Sequence, residues 1–149
     1  MKIREKVLNI DVYNIFRGVN ERLTEEEIRM MKPLSLAYIG DAVFELLIRT
    51  EIMTGQKNAH KLHKESANLV NAKAQADFFD RIKENLTEEE LSVVNRAKNS
   101  KLHTMPRNAE YNDYRFATGL ESLFGYHYLM NNDDRLMELY NMGKINNED

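Results

Sequence analysis

The chain has 149 residues, a formal net charge of −3, 42% hydrophobic residues and no cysteine. That length suits one domain able to bury roughly two thirds of its unfolded surface. The composition excludes a disulfide framework and Cys-ligated zinc and fits a reducing cytoplasm. The N-terminal M-K-I-R-E-K-V-L-N-I-D lacks a signal-type apolar core, and no apolar run is long and uncharged enough to cross a membrane.

Residues 1–20 carry periodic apolar positions (Val7, Ile10, Tyr13, Ile15, Phe16) that predict one short helix with Gly18 near its end. In L-T-E-E-E-I, Thr24 is the expected cap, Glu27 closes a capping box, and Leu23 with Ile28 forms a staple. The same letters recur at Leu86 to Leu91. Both are read as helix starts rather than as a repeat or an acidic metal cluster, because consecutive acids in a first turn favour the helix dipole and point in different directions. The first helix breaks at Lys32-Pro33, and proline then suits the first turn of the next one.

That next stretch, P-L-S-L-A-Y-I-G-D-A-V-F-E-L-L-I-R from Pro33 to Arg49, has apolar groups on every side when wound at about 3.6 residues per turn, which predicts a helix covered all round. Asp41 sits in its middle, with Ala37, Tyr38, Phe44 and Glu45 at helical spacing and small residues, Ala37 and Gly40, allowing close approach. Such a carboxylate needs a buried Arg or Lys, a proton or a divalent metal. After Gly55 one long helix is expected from about Lys57 to Asn85, carrying Lys57, His60, Lys61 and Lys64 within about a quarter turn, a stripe suited to a phosphate backbone or to plain solvation. Thr87 caps a helix to Lys98, and residues 99–113 read as an irregular loop. Between Arg96 and Arg107 four cations (Arg96, Lys98, Lys101, Arg107) face no acid, a basic patch hidden by the negative average.

Tyr114 to Leu129 repeats the arrangement of the Asp41 helix: Glu121 is the lone acid, beside Ala117, Thr118, Phe124 and Gly125. Two such helices packed together would bring both acids to one oxygen-only site of the kind Mg²⁺ accepts. A final helix spans 132–143, the end from 144 frays, and no segment alternates as a strand would, so the fold class is all-α. The histidines form no H-D pair and no E-x-x-H; His127, among aromatics, reads as a core or interface residue.

The run L-x-L-A-Y-I-G-D-A-V-F-E, then L-H-K-x-S (Leu62, His63, Lys64, Ser66), A-K-x-Q-A (Ala72, Lys73, Gln75, Ala76), R-x-K-N-x-K (Arg96, Lys98, Asn99, Lys101), P-R-N (Pro106, Arg107, Asn108) and Y-R-x-A-T-x-x-E-x-L-x-G-Y resembles the Mini-ribonuclease III family over about residues 33–140. The resemblance implies a single ribonuclease III catalytic domain over 1–149, a homodimeric helical bundle without a double-stranded-RNA-binding domain. It implies an Mg²⁺-dependent endoribonuclease that cuts structured RNA to 5′-phosphate and 3′-hydroxyl ends, maturing 23S ribosomal RNA precursors with a ribosomal protein as a possible partner on the RNA. Asp41 and Glu121 would be catalytic and hold the metal. Lys61, His63, Lys64, Lys73, Arg96, Lys98, Asn99, Lys101, Arg107 and Arg115 would meet RNA, read by shape across the minor groove.

The larger ribonucleases III have a glutamate where this chain has Ala37 and an aspartate where it has Thr118, so four carboxylates reduce to two and the number of metal ions is left open. Glu45 and Thr118 are outer-shell candidates, with a core or interface role the commoner one for Glu45. Cutting both strands needs a second site, which a two-fold dimer supplies, with the helix at 34–48 as part of its interface. The alternative is an RNA-binding module that keeps the fold without the activity; retention of both acids favours the enzyme.

Overall fold

Two long helices that cross where a glycine on each lets the backbones touch set the plan of the molecule. The computed structural model describes residues 15–100 and 109–145. A 3-10 helix, Ile15–Asn20, leads to α1 (Glu25–Arg29), α2 (Pro33–Ile52), α3 (Ala59–Val70) and α4 (Ala72–Ile82), then a 3-10 turn at Lys83–Asn85, α5 (Glu88–Lys98), α6 (Ala109–Leu129) and α7 (Asp133–Gly143). No strand occurs among the described residues, and the fold is all-α.

The local signals hold where backbone chemistry decides. Thr24 accepts from Glu27 N and Thr87 from Glu90 N, each glutamate returning to the cap's backbone, so both capping boxes form. Ile28 is fully buried, with Leu23 packed beside it in a cluster with Leu36, Val93 and Tyr126. The larger core joins α2, α4, α5, α6 and α7 through Phe44, Phe78, Phe124, Val94, Leu120 and Leu139 among others. Phe44, Phe78 and Phe124 meet edge to face, with centroids 5.1, 5.4 and 5.9 Å apart, the arrangement that the ring quadrupoles favour.

Three expectations are corrected. The helix covered all round is α6, not α2: Ala117, Leu120, Leu123, Phe124 and Tyr126 are all buried, whereas α2 leaves Leu34, Tyr38 and Leu46 at 45, 83 and 57% exposure. The long helix from Lys57 to Asn85 is two, because Asn71 takes extended geometry (φ −71°, ψ 165°) and its side chain accepts from Ala74 N, ending α3 and starting α4 at once. The loop expected over 99–113 gives way to α6 at Ala109. At the N-terminus the short helix is the 3-10 helix Ile15–Asn20, with Gly18 two residues from its end; residues 1–14 of that segment, and 146–149 of the expected frayed tail, lie outside the described residues.

Candidate active site

The crossing of α2 and α6 is closer than any side chain permits. A Cβ on Gly40 would lie 1.6 Å from the Glu121 carbonyl oxygen, and one on Gly125 would lie 2.0 Å from the Leu36 carbonyl oxygen. Glycine at both positions therefore removes the spacing that normally keeps helix axes apart. Asp41 follows Gly40 on one helix and Glu121 precedes Gly125 by one turn on the other, so the contact of backbones brings the two carboxyls close enough to raise the Glu121 carboxyl's proton affinity.

Asp41 is exposed and Glu121 half-buried, which leaves the pair open to solvent on one side. Burial first, then the neighbouring Asp41 carboxyl, push Glu121 up to about 8; the Gln75 amide pulls the other way. Gln75 Nε2 donates to Glu121 Oε2 at 3.2 Å. Without a cation, the pair thus holds one proton near neutrality, as two adjacent carboxyls do.

The donor set fits Mg²⁺. It is all oxygen, it offers two carboxylates with room for water beside the exposed one, and it carries negative charge that a divalent ion would offset. Among the described residues no group of three or more potential ligands assembles, so ligands beyond Asp41 and Glu121 would be water and substrate. Glu45 accepts from Arg49 NH2 at 3.2 Å, and Thr118 donates to the Tyr114 carbonyl at 2.9 Å, so each outer-shell candidate is occupied within its own helix.

The cations expected to meet RNA divide into two sets. Lys61, His63 and Lys64 are exposed on α3, and Arg96 is exposed on α5. Lys57, by contrast, is tied to Glu65 at 2.8 Å and leaves the stripe. Lys73 pairs with Asp77 at 3.1 Å and lines a groove with Ile48, Phe78 and Tyr140; two residues from Gln75, it faces away from the acid pair. Arg115 Nε donates to the Lys98 carbonyl at 3.0 Å and its NH2 to Asn99 Oδ1 at 3.4 Å, while Lys98 Nζ sits 4.4 Å from the Phe116 ring centre. These three residues thus brace the end of α5 against α6. Lys101 and Arg107 lie outside the described residues.

A buried ionic centre behind the site was not foreseen. Glu90, read from sequence as a cap only, is 2% exposed; it accepts from Arg135 Nε at 2.8 Å and Arg135 NH2 at 2.7 Å, from the Thr87 backbone at 2.9 Å, and from His127 Nε2 at 2.6 Å. Burial pushes Glu90 up, but Arg135, Thr87 and His127 outweigh it and hold the carboxyl at about 2. Burial pulls His127 below its ordinary value against the opposing effect of Glu90. His127 is therefore neutral, donating from Nε2 to Glu90 and accepting at Nδ1 from Asn132 at 3.1 Å. Only the core placement of His127 was visible in its aromatic neighbours.

The Ribonuclease III domain family profile matches residues 34–132, which makes this all-helical domain, with an acid from each of two crossing helices, a ribonuclease III-type domain. Mini-ribonuclease 3 from Clostridium tetani is 46% identical over 123 residues, covering 81% of this chain and 82% of that protein. Mini-ribonuclease 3 from Thermoanaerobacter sp. (strain X514) is 47% identical over 121 residues, covering 80% and 84%. A crystal structure of a Fusobacterium nucleatum protein superposes with a TM-score of 0.69 at 36% identity, over 77% of this chain and 93% of that one. The chain belongs to the Mini-ribonuclease 3 family.

Proposed function

We propose that this endoribonuclease cuts double-stranded RNA with Mg²⁺ held between Asp41 and Glu121, working as a single-domain protein that pairs into a homodimer and matures the ends of 23S ribosomal RNA precursors. The observation that carries the reading is the meeting of Asp41 and Glu121 at the glycine crossing of α2 and α6. Mg²⁺ there would activate a water for in-line attack on the phosphodiester and offset the charge of the transition state. Asp41, on the solvent side, and Glu121, half-buried beside it, are the two residues that would hold the cation. Lys61, His63, Lys64 and Arg96 supply the exposed positive groups that track phosphates, and shape rather than base edges is read.

Pairing of two copies is supported by the apolar stripe of Leu34, Tyr38 and Leu46, which falls within an arc of roughly 120° along α2 and flanks Asp41. A two-fold axis through that stripe would set two acid pairs toward opposite strands, matching the symmetry of a duplex.

The test is cleavage of a blunt RNA duplex. Wild type cuts it only with a divalent ion, and Asp41→Asn abolishes cutting while melting temperature and duplex binding are kept. A wild type that binds the duplex yet never cuts it under any divalent ion would replace this reading with the binding module.

A further inference from the structure

We propose that Gln75 is a positioning residue that selects the cation, by tying up one oxygen of Glu121 so that this ligand meets a metal through a single oxygen. The inference rests on the reading of Asp41 and Glu121 as a magnesium site. Gln75 is 3% exposed and lies in the first turn of α4, where its backbone N donates to the Asn71 carbonyl at 2.9 Å. The break at Asn71 aims it: the Asn71 side chain caps Ala74 N at 2.8 Å, and α4 starts in the direction that carries Gln75 inward to Glu121 Oε2.

The residue type matters as much as the placement. A buried polar side chain persists where it is partnered, and the partner here is a carboxyl that would otherwise have both oxygens available. A lysine at this point would neutralise the pair and compete with a cation; an acid would add a third negative charge. The neutral amide does neither. It holds Oε2 in a hydrogen bond, so a cation that takes both oxygens of Glu121 must share or displace that bond, whereas one that takes Oε1 alone need not. Mg²⁺ takes few carboxylates in a tight octahedron completed by water, whereas Ca²⁺ takes more oxygens at longer range and readily binds both oxygens of one carboxylate. A Glu121 restricted to one oxygen therefore favours the smaller ion, and a Glu121 released from Gln75 loses that bias.

The experiment measures metal binding without RNA or turnover. Mn²⁺ bound to the full chain is followed by electron paramagnetic resonance at one fixed pH and displaced with Mg²⁺ or Ca²⁺. Gln75→Met keeps side-chain length and apolar packing but removes the donor. The expected result is an increase of about tenfold in the effectiveness of Ca²⁺ relative to Mg²⁺, the scale on which groups behind a metal ligand act. Gln75→Asn, one methylene shorter, withdraws the amide from Oε2 and shows the same change, which covers a Met variant that fails to fold. A ratio unchanged in both variants overturns the inference, even where both affinities fall together, since a merely structural role would weaken the two ions alike. Asp41→Asn separates the underlying reading: if it leaves Mn²⁺ binding intact, the acid pair is not the metal site and both proposals fall; if it abolishes binding while the ratio in the Gln75 variants stays put, only the role of Gln75 is lost.

Discussion

Replacing Gly40 by alanine tests the crossing on which the site depends. The added Cβ would stand 1.6 Å from the Glu121 carbonyl oxygen, 2.6 Å from its carbon and 2.8 Å from Gly125 N. Carbon in contact needs about 3.5 Å, so α2 and α6 must part by about 2 Å. All three opposing atoms are backbone, and none can swing aside as a side-chain tip would. Overpacking of this kind costs about 1–3 kcal/mol, with a contact against main chain on every side at the upper end. The functional loss should be larger in proportion. A misplacement of about 1 Å at reacting groups costs about 100-fold, and here Asp41 is carried away from Glu121 by more than that. Chemical denaturation and single-turnover cleavage of a duplex at saturating Mg²⁺ measure the two effects. Gly55→Ala is the control, since a Cβ there meets nothing within 4 Å, and it should leave both quantities near wild type. A Gly40→Ala protein with native stability and cleavage would refute the claim that close backbone contact places the acids.

Other perturbations have equally definite outcomes. In the absence of metal, Glu121 holds its proton up to about 8 in the folded state, above the ordinary 4.5; its contribution to stability is complete below the lower value and lost as pH rises through the upper one. The melting temperature in chelator should therefore carry a downward component across that window that Glu121→Gln removes, and identical slopes for the two proteins would count against the shared proton. Glu90→Ala leaves Arg135 and His127 facing a buried gap and should cost about 3–5 kcal/mol in denaturant titration, far more than loss of a surface pair. Leu46→Glu, at a position 57% exposed in the single chain, should break the proposed pairing, read by light scattering as a wild type of twice the variant's mass, with little loss of helicity. Asn71→Ala should cost about 1 kcal/mol as a lost cap and, through Gln75, also alter the metal preference.

Much of this was legible in the chain before any coordinates. Thr24 with Glu27 and Thr87 with Glu90 announce helix starts through contacts made within four residues, and such contacts depend on little else. The acids Asp41 and Glu121, each beside glycine or alanine on an apolar helix, signal that two backbones approach and what they carry to the meeting point. Asn71 was misjudged because L-V-N-A-K-A supports a continuous helix by propensity; only the side-chain bond to Ala74 N shows that asparagine has ended one helix and capped the next. The surface of α2 was misjudged for a different reason. Apolar groups on every side state that contact is wanted, not whether this chain or a second copy provides it. Lys98, Asn99 and Arg115 are among the expected RNA contacts, and their bracing of one another was not visible because it joins elements separated by the segment between α5 and α6.

Glu90 has a consequence for how the protein breathes. Its one carboxylate answers at once to the start of α5 through Thr87, to the end of α6 through His127 and to the start of α7 through Arg135. Helix termini ordinarily fray one by one, because each releases its own last turn to water. Here the departure of any one strands a charge shared by the other two, so amide protons at these three ends should exchange with solvent in step, as a single latch that is either shut or open.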